Sequence, residues 1–194
     1  LSGYIPVEPT PKQMAFLLLP QREVLFGGAA GPGKSWGLLM AGLQYVDRPG
    51  YAGLLLRRTF PELTQPDALM DVADQWLRPT DAAWHGDSHT WRFPSGATLG
   101  FGYLQNESDK YRYQSAQFHF IGFDELTAFT ESQYRYLFWR LRRVEGSNIT
   151  IRMRSASNPG NIGHNWVKQR FMVDRSPDRV FLPATLDDNP YLDK

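Results

Sequence analysis

Cysteine is absent from this 194-residue chain. That absence removes disulfides, thiolate metal sites and cysteine nucleophiles together, and it fits an intracellular protein better than a secreted scaffold. Long apolar runs are missing as well. Stretches such as 14–19 fall far short of the roughly 20 residues needed to cross a bilayer, and no charged-then-apolar leader opens the chain, so a soluble protein is expected. Charge of one sign is lacking too. With 21 Lys and Arg against 20 Asp and Glu the net charge is +1, so any polyanion-binding surface must be a local patch. There is no repeat and no low-complexity tract. His85, His89, His119 and His164 show no metal-ligand spacing, and no structural metal is expected.

What is present suffices for one domain, 1–194, since 42% of residues are hydrophobic and 14% aromatic. The chain opens on Leu1 and stops shortly after Asn189-Pro190-Tyr191, so an excised piece of a longer polypeptide is expected. Periodicity predicts a short helix from Pro11, a strand over 22–27, a helix over 35–46, a strand over 53–57 and a helix over 61–77. A hairpin of 91–93 with 97–101, turned by Pro94-Ser95-Gly96, follows. Then come a strand over 118–123, a helix over 131–142, a strand over 149–156, a helix over 164–171 and a strand over 179–182. Strands alternating with helices imply an α/β fold, a mainly parallel sheet flanked by helices, with the hairpin near 90–101 as an insertion.

The segment Gly28-Ala29-Ala30-Gly31-Pro32-Gly33-Lys34-Ser35 lies between a predicted strand and a predicted helix, the context a nucleoside-triphosphate phosphate loop requires. Its glycines let backbone N–H groups turn inward around a β-phosphate, and the helix points its positive end at the anion. Lys34 is placed to reach the β and γ oxygens, Ser35 to ligate Mg2+, and Trp36 follows directly. Residues 120–125 supply the companion carboxylates: an apolar strand ending in Asp124-Glu125 puts Asp124 at the sheet edge to hold magnesium and Glu125 where it can polarise a water. A glutamate directly after the magnesium Asp marks the branch of phosphate-loop proteins with an extra strand between the loop strand and the Asp strand, which is where 149–156 is expected. The small polar residues Ser157 and Asn158 after that strand are candidates to sense a γ-phosphate, an ordinary polar turn before Pro159-Gly160 being the alternative. Gln13 is placed to read an adenine edge, or is a solvated residue at a helix start. Arg57, Arg58 and Arg112 are candidates for neutralising transition-state charge or gripping a phosphodiester backbone, or are solvated.

The set of motifs resembles the N-terminal ATPase domain of the large terminase subunit of tailed bacteriophages, the motor that packages DNA into preformed capsids. The resemblance rests on Pro11-x-Gln13, the phosphate loop, Arg57-Arg58 within 54–63, Tyr111-Arg112, Asp124-Glu125 within 121–127, and Ser157-Asn158-Pro159-Gly160. It implies an additional-strand, catalytic-glutamate fold of RecA-like type in which Gln13 contacts adenine, Lys34 and Ser35 bind phosphate and magnesium, Asp124 holds the metal and Glu125 is the base. It further implies that Ser157-Asn158 couple hydrolysis to movement and that Arg112 is an arginine finger, supplied in many relatives by a neighbouring subunit. Arg57 and Arg58 remain rivals for the finger or for DNA contact. The implied substrate is ATP with Mg2+. The implied partners are double-stranded DNA, a portal protein, a small terminase subunit and further copies in a ring on the procapsid, with a monomer in isolation. The implied location is the host-cell cytoplasm and, transiently, the portal vertex. A C-terminal metal-dependent nuclease domain is expected in the full-length protein and absent here. Another phosphate-loop DNA motor, a helicase or a DNA-segregation ATPase, and an ATP-binding switch without turnover are the competing readings; Glu125 argues against the switch.

Overall fold

The computed structural model describes residues 2–29, 31, 33–143 and 147–188. Helix α1 (Pro11–Leu18) precedes β1 (Glu23–Gly28), and α2 (Lys34–Leu43) follows the phosphate loop. Next come β2 (Ala52–Arg57), two short helices α3 (Phe60–Thr64) and α4 (Leu69–Leu77), and the strands β3 (Ala83–His85), β4 (Thr90–Arg92) and β5 (Thr98–Tyr103). A 3-10 turn (Glu107–Tyr113) leads into β6 (Phe120–Asp124). After α5 (Glu131–Phe138) come β7 (Arg152–Ser157), α6 (His164–Lys168) continuing into a π-helical turn (Gln169–Val173), and β8 (Arg179–Ala184).

The eight strands form one sheet in the order β3-β4-β5-β2-β6-β7-β1-β8. Six of them, β5, β2, β6, β7, β1 and β8, run parallel, while β4 pairs antiparallel with β5 and with the edge strand β3. As the Asp-Glu pattern implies, β7 lies between the loop strand β1 and the Asp strand β6. Helices cover both faces: Phe16, Leu38, Leu43 and Leu77 lie in one apolar cluster, and Tyr134, Leu137 and Val167 in the other. Every residue of β6 and β7 is buried, as parallel strands sandwiched between helices must be.

Several expected elements take a different form. The helix over 61–77 is two helices, because Pro66 removes an N–H and holds Gln65 extended (φ −60°, ψ 156°), and Asp67 follows at φ 62°. The helix over 131–142 stops at Phe138, since residues 140 and 142 bond the backbone of Phe118 on each side (Phe118 N–H to Arg140 O, and Arg142 N–H to Phe118 O, both 2.9 Å). The strand over 149–156 begins at Arg152, and β3 has no sequence signal strong enough to announce its three residues. The expected hairpin is present as β4 and β5, and it is continuous with the main sheet: β5 pairs in parallel with β2 along its whole length, and β3 adds outside β4 as the edge strand.

Candidate active site

The loop strand β1 delivers Gly28 at φ 132°, where a Cβ would lie 2.1 Å from the carbonyl oxygen of Ala184 on β8. Glycine is required there by both conformation and space. Ala29 N–H bonds the same carbonyl at 3.1 Å. Ala30 and Pro32 lie outside the described residues, while Gly31 and Gly33 adopt φ 95° and 69°. Gly33 is the N-cap of α2, so Lys34 and Ser35 stand in its first turn, at the positive end of the helix dipole. The buried Lys34 turns its Nζ to the carbonyl of Ala29 at 2.5 Å. Burial pulls its pKa down, and the charges of Glu125 and Asp124 oppose that shift.

Around this loop the other strands place their tips. Ser35 Oγ donates to Asp124 Oδ1 at 2.9 Å. Arg57, at the end of β2, pairs with the other oxygen of the buried Asp124. Glu125 follows at φ 55°, ψ 60°, a left-handed conformation that non-glycine residues adopt at a cost of about 1 kcal/mol or more and that clusters at functional sites. This turn swings its carboxylate toward Asn158, whose backbone N–H and Nδ2 each lie 3.4 Å from it. Burial and then the charge of Asp124 raise the Glu125 pKa, while the Asn158 N–H, Arg57 and Lys34 pull it back. Ser157 Oγ lies 3.0 Å from Thr127 Oγ1 and accepts from Thr127 N–H at 3.2 Å. The Oδ1 of Asn158 is buried without a hydrogen-bond partner among the described residues.

The remaining candidates divide. Gln13 is buried and its amide is engaged at both ends, accepting from Thr10 N–H at 2.9 Å and donating to Gly33 O at 2.8 Å. It is buried rather than solvated. Trp36 meets Trp76 of α4 edge-to-face, with ring centroids 5.5 Å apart. Arg58 leaves the site and donates to Gln133 Oε1 of α5 at 2.8 Å. Arg112 bonds Tyr103 O at 3.2 Å and Asp109 Oδ1 at 3.3 Å, and its guanidinium lies over the Tyr103 ring. It bonds none of the phosphate-loop or carboxylate residues, and its side chain is 46% exposed. Thr127 stands three residues after Asp124, and its residue type and spacing carry no signal of a role. Only the pairing of β6 with β7 brings it to Ser157.

Buried loop lysine, paired hydroxyl and carboxylate, and adjacent glutamate together have the geometry of a phosphate-loop nucleotide site, and the order of the strands is that of the catalytic-glutamate branch. The family model for the terminase large subunit, T4likevirus-type, N-terminal, matches residues 25–194. This chain belongs to that terminase family. Solved terminases share its fold at low identity. The large terminase of a thermophilic bacteriophage superposes with a TM-score of 0.78 at 18% identity over 96% of this chain and 48% of its own. The ATPase domain of the Thermus phage P74-26 large terminase gives 0.64 at 13% identity, covering 95% and 84%. The N-terminal domain of the DNA-packaging ATPase of bacteriophage phi29 gives 0.60 at 15%, covering 95% and 98%. The thermophilic-phage terminase has also been solved with ADP and with ATP-gamma-S. This terminase chain spans about half the length of those full-size large terminases. No curated protein matches its sequence. Among the described residues no helix is long and apolar enough to cross a membrane.

Proposed function

We propose that this chain is the ATP-hydrolysing motor domain of a large terminase and that its turnover drives double-stranded viral DNA into a procapsid. The observation that carries the reading is the convergence of three strand tips: Ser35 bonded to Asp124 at 2.9 Å, with Glu125 turned to Asn158 by a left-handed backbone. Lys34 and the N-terminal N–H groups of α2 bind phosphate oxygens. A hydroxyl and a carboxylate 2.9 Å apart are the hard oxygen donors that Mg2+ prefers, and among the described residues no cluster of three His, Cys, Asp or Glu offers a competing metal site. Ser35 and Asp124 would hold the ion, which would supply charge neutralisation at the triphosphate. Glu125 orients and deprotonates the attacking water, its position set by the backbone N–H and Nδ2 of Asn158. Arg57 acts in cis beside Asp124. Arg112, exposed and remote from its own loop, acts as a finger toward a neighbouring copy in a ring.

Portal protein, small terminase subunit and DNA are the partners of this reading, with work done transiently at the portal vertex in the host-cell cytoplasm and a nuclease domain in the full-length protein. The direct test is Glu125→Gln. Phosphate release should fall at least about 100-fold while MgADP affinity stays within about threefold of the parent. Retention of more than about a tenth of the parent rate would remove Glu125 as the base.

A further inference from the structure

Strand β7 ends in Ser157, beside the site, but its earlier residues include two buried arginines, Arg152 and Arg154. Standing two apart on a strand, they share a face, the one packed on α1 and α2. Neither has a carboxylate within ion-pair distance among the described residues. Their acceptors sit at or just beyond the C-terminal ends of two helices. Arg152 donates to Ala41 O at 3.1 Å and Gln44 Oε1 at 2.5 Å, closing the end of α2. Arg154 donates to Leu19 O at 2.7 Å and Gln21 O at 2.9 Å, closing the end of α1 and the turn into β1. Carbonyls at a negative helix pole, with acceptor capacity to spare, are what make an unpaired buried guanidinium tolerable. The arrangement is still costly, because burial and the neighbouring charge of Arg152 push Arg154 down to about 9, and apolar residues of similar volume usually serve stability as well or better.

The cost is informative because of what the two helices carry at their other ends. The N-terminus of α2 presents Lys34 and Ser35. From α1 comes Gln13, whose Nε2 holds the carbonyl of Gly33 at 2.8 Å and lies 2.7 Å from where a Gly33 Cβ would stand. A cation at the far pole of α2 is about 15 Å from the phosphate end and adds little there electrostatically. We propose that Arg154, seconded by Arg152, is a positioning residue: it ties β7 to α1 so that Gln13 holds Gly33 and the phosphate loop is preorganised for nucleotide. This link rests on the nucleotide-site reading above.

A double-mutant cycle on the full chain, read by MgADP titration calorimetry with thermal unfolding in parallel, tests it. Arg154→Met should weaken MgADP about tenfold while the thermal midpoint stays at or above that of the parent. Gln13→Ala should weaken it by a similar factor, and adding Arg154→Met to Gln13→Ala should cost less than about twofold more, because the two residues act through one link. MgADP binding by Arg154→Met equal to the parent, or losses that multiply in the double variant, would overturn the proposal. If Arg154→Met gives no cooperative unfolding transition, Arg154→Lys, which keeps the charge but cannot fork onto two carbonyls, runs the same cycle with the same two outcomes. Absence of MgADP binding by the unmutated chain would instead overturn the nucleotide-site reading itself.

Discussion

At the residue scale, the site depends on conformations and clearances that particular side chains allow. Glu125 reaches Asn158 only because its backbone takes the left-handed conformation, and Gly28 lets β1 pass the carbonyl of Ala184. Gly122, two residues before Asp124, shows the same economy of space under α2: a Cβ there would lie 2.6 Å from Leu55 Cδ2 and 3.1 Å from Leu38 Cδ1. Those neighbours belong to a packed core and cannot withdraw freely. Gly122→Ala should therefore cost about 1–3 kcal/mol, a fall of roughly 2–12 °C in Tm by calorimetry. An unchanged midpoint would mean that the side chains of Leu55 and Leu38 yield. The phosphate loop and the Asp-Glu pair were legible from residue types alone, because each needs a fixed order of neighbours along the chain. The hold of Gln13 on Gly33 was not, since Gly33 lies 20 residues away.

At the scale of elements, a buried charged cluster anchors the end of the sheet opposite the site. Glu23, at the start of β1, accepts from Arg170 Nε at 2.8 Å, Arg170 Nη2 at 3.0 Å, Arg179 Nε at 3.2 Å and the Tyr134 hydroxyl at 2.9 Å. One carboxylate thus joins β1, β8, α5 and the π-helical turn. Glu23→Gln keeps the shape but leaves two half-satisfied cations among Tyr134, Phe138 and Phe171. Removing one member of such a buried set costs about 3 kcal/mol or more, so Tm should drop by roughly 6–12 °C. A drop of less than about 2 °C would show that solvent already screens the cluster. Element types followed from periodicity, but several ends did not. Pro66 was visible and its break in the helix over 61–77 was readable in principle, whereas the early stop of α5 comes from a bridge to Phe118, a contact between segments about 20 residues apart.

At the scale of the whole molecule, the arginines separate by distance from the site. Arg57 lies on Asp124 and Arg58 on Gln133, while Arg112 sits beside Tyr103 at the tip of β5, two strands from β6. A finger so placed cannot serve its own loop without a large rearrangement. If it serves a neighbour, mixing Arg112→Ala chains with Glu125→Ala chains should restore part of the hydrolysis that neither has alone, measured as phosphate release at varied ratios on assembled rings. Each mixed interface can pair an intact Arg112 with an intact Glu125. No rescue at any ratio would assign Arg112 a role within its own subunit or none. Arg57→Ala mixed with Glu125→Ala should give no rescue, since both residues belong to one site.

The sequence by itself determined the family, the α/β alternation and the position of β7, because phosphate binding and parallel sheets both require local order: glycines before a helix, apolar runs before carboxylates, helices between strands. Only the tertiary structure decided which polar groups meet. The Arg57 contact with Asp124, the Thr127 contact with Ser157 and the hold of Arg154 on the end of α1 join segments 30 to 135 residues apart. Such contacts depend on strand order and on the period-two facing of side chains across a sheet, and these are settled only when the whole sheet closes around its core.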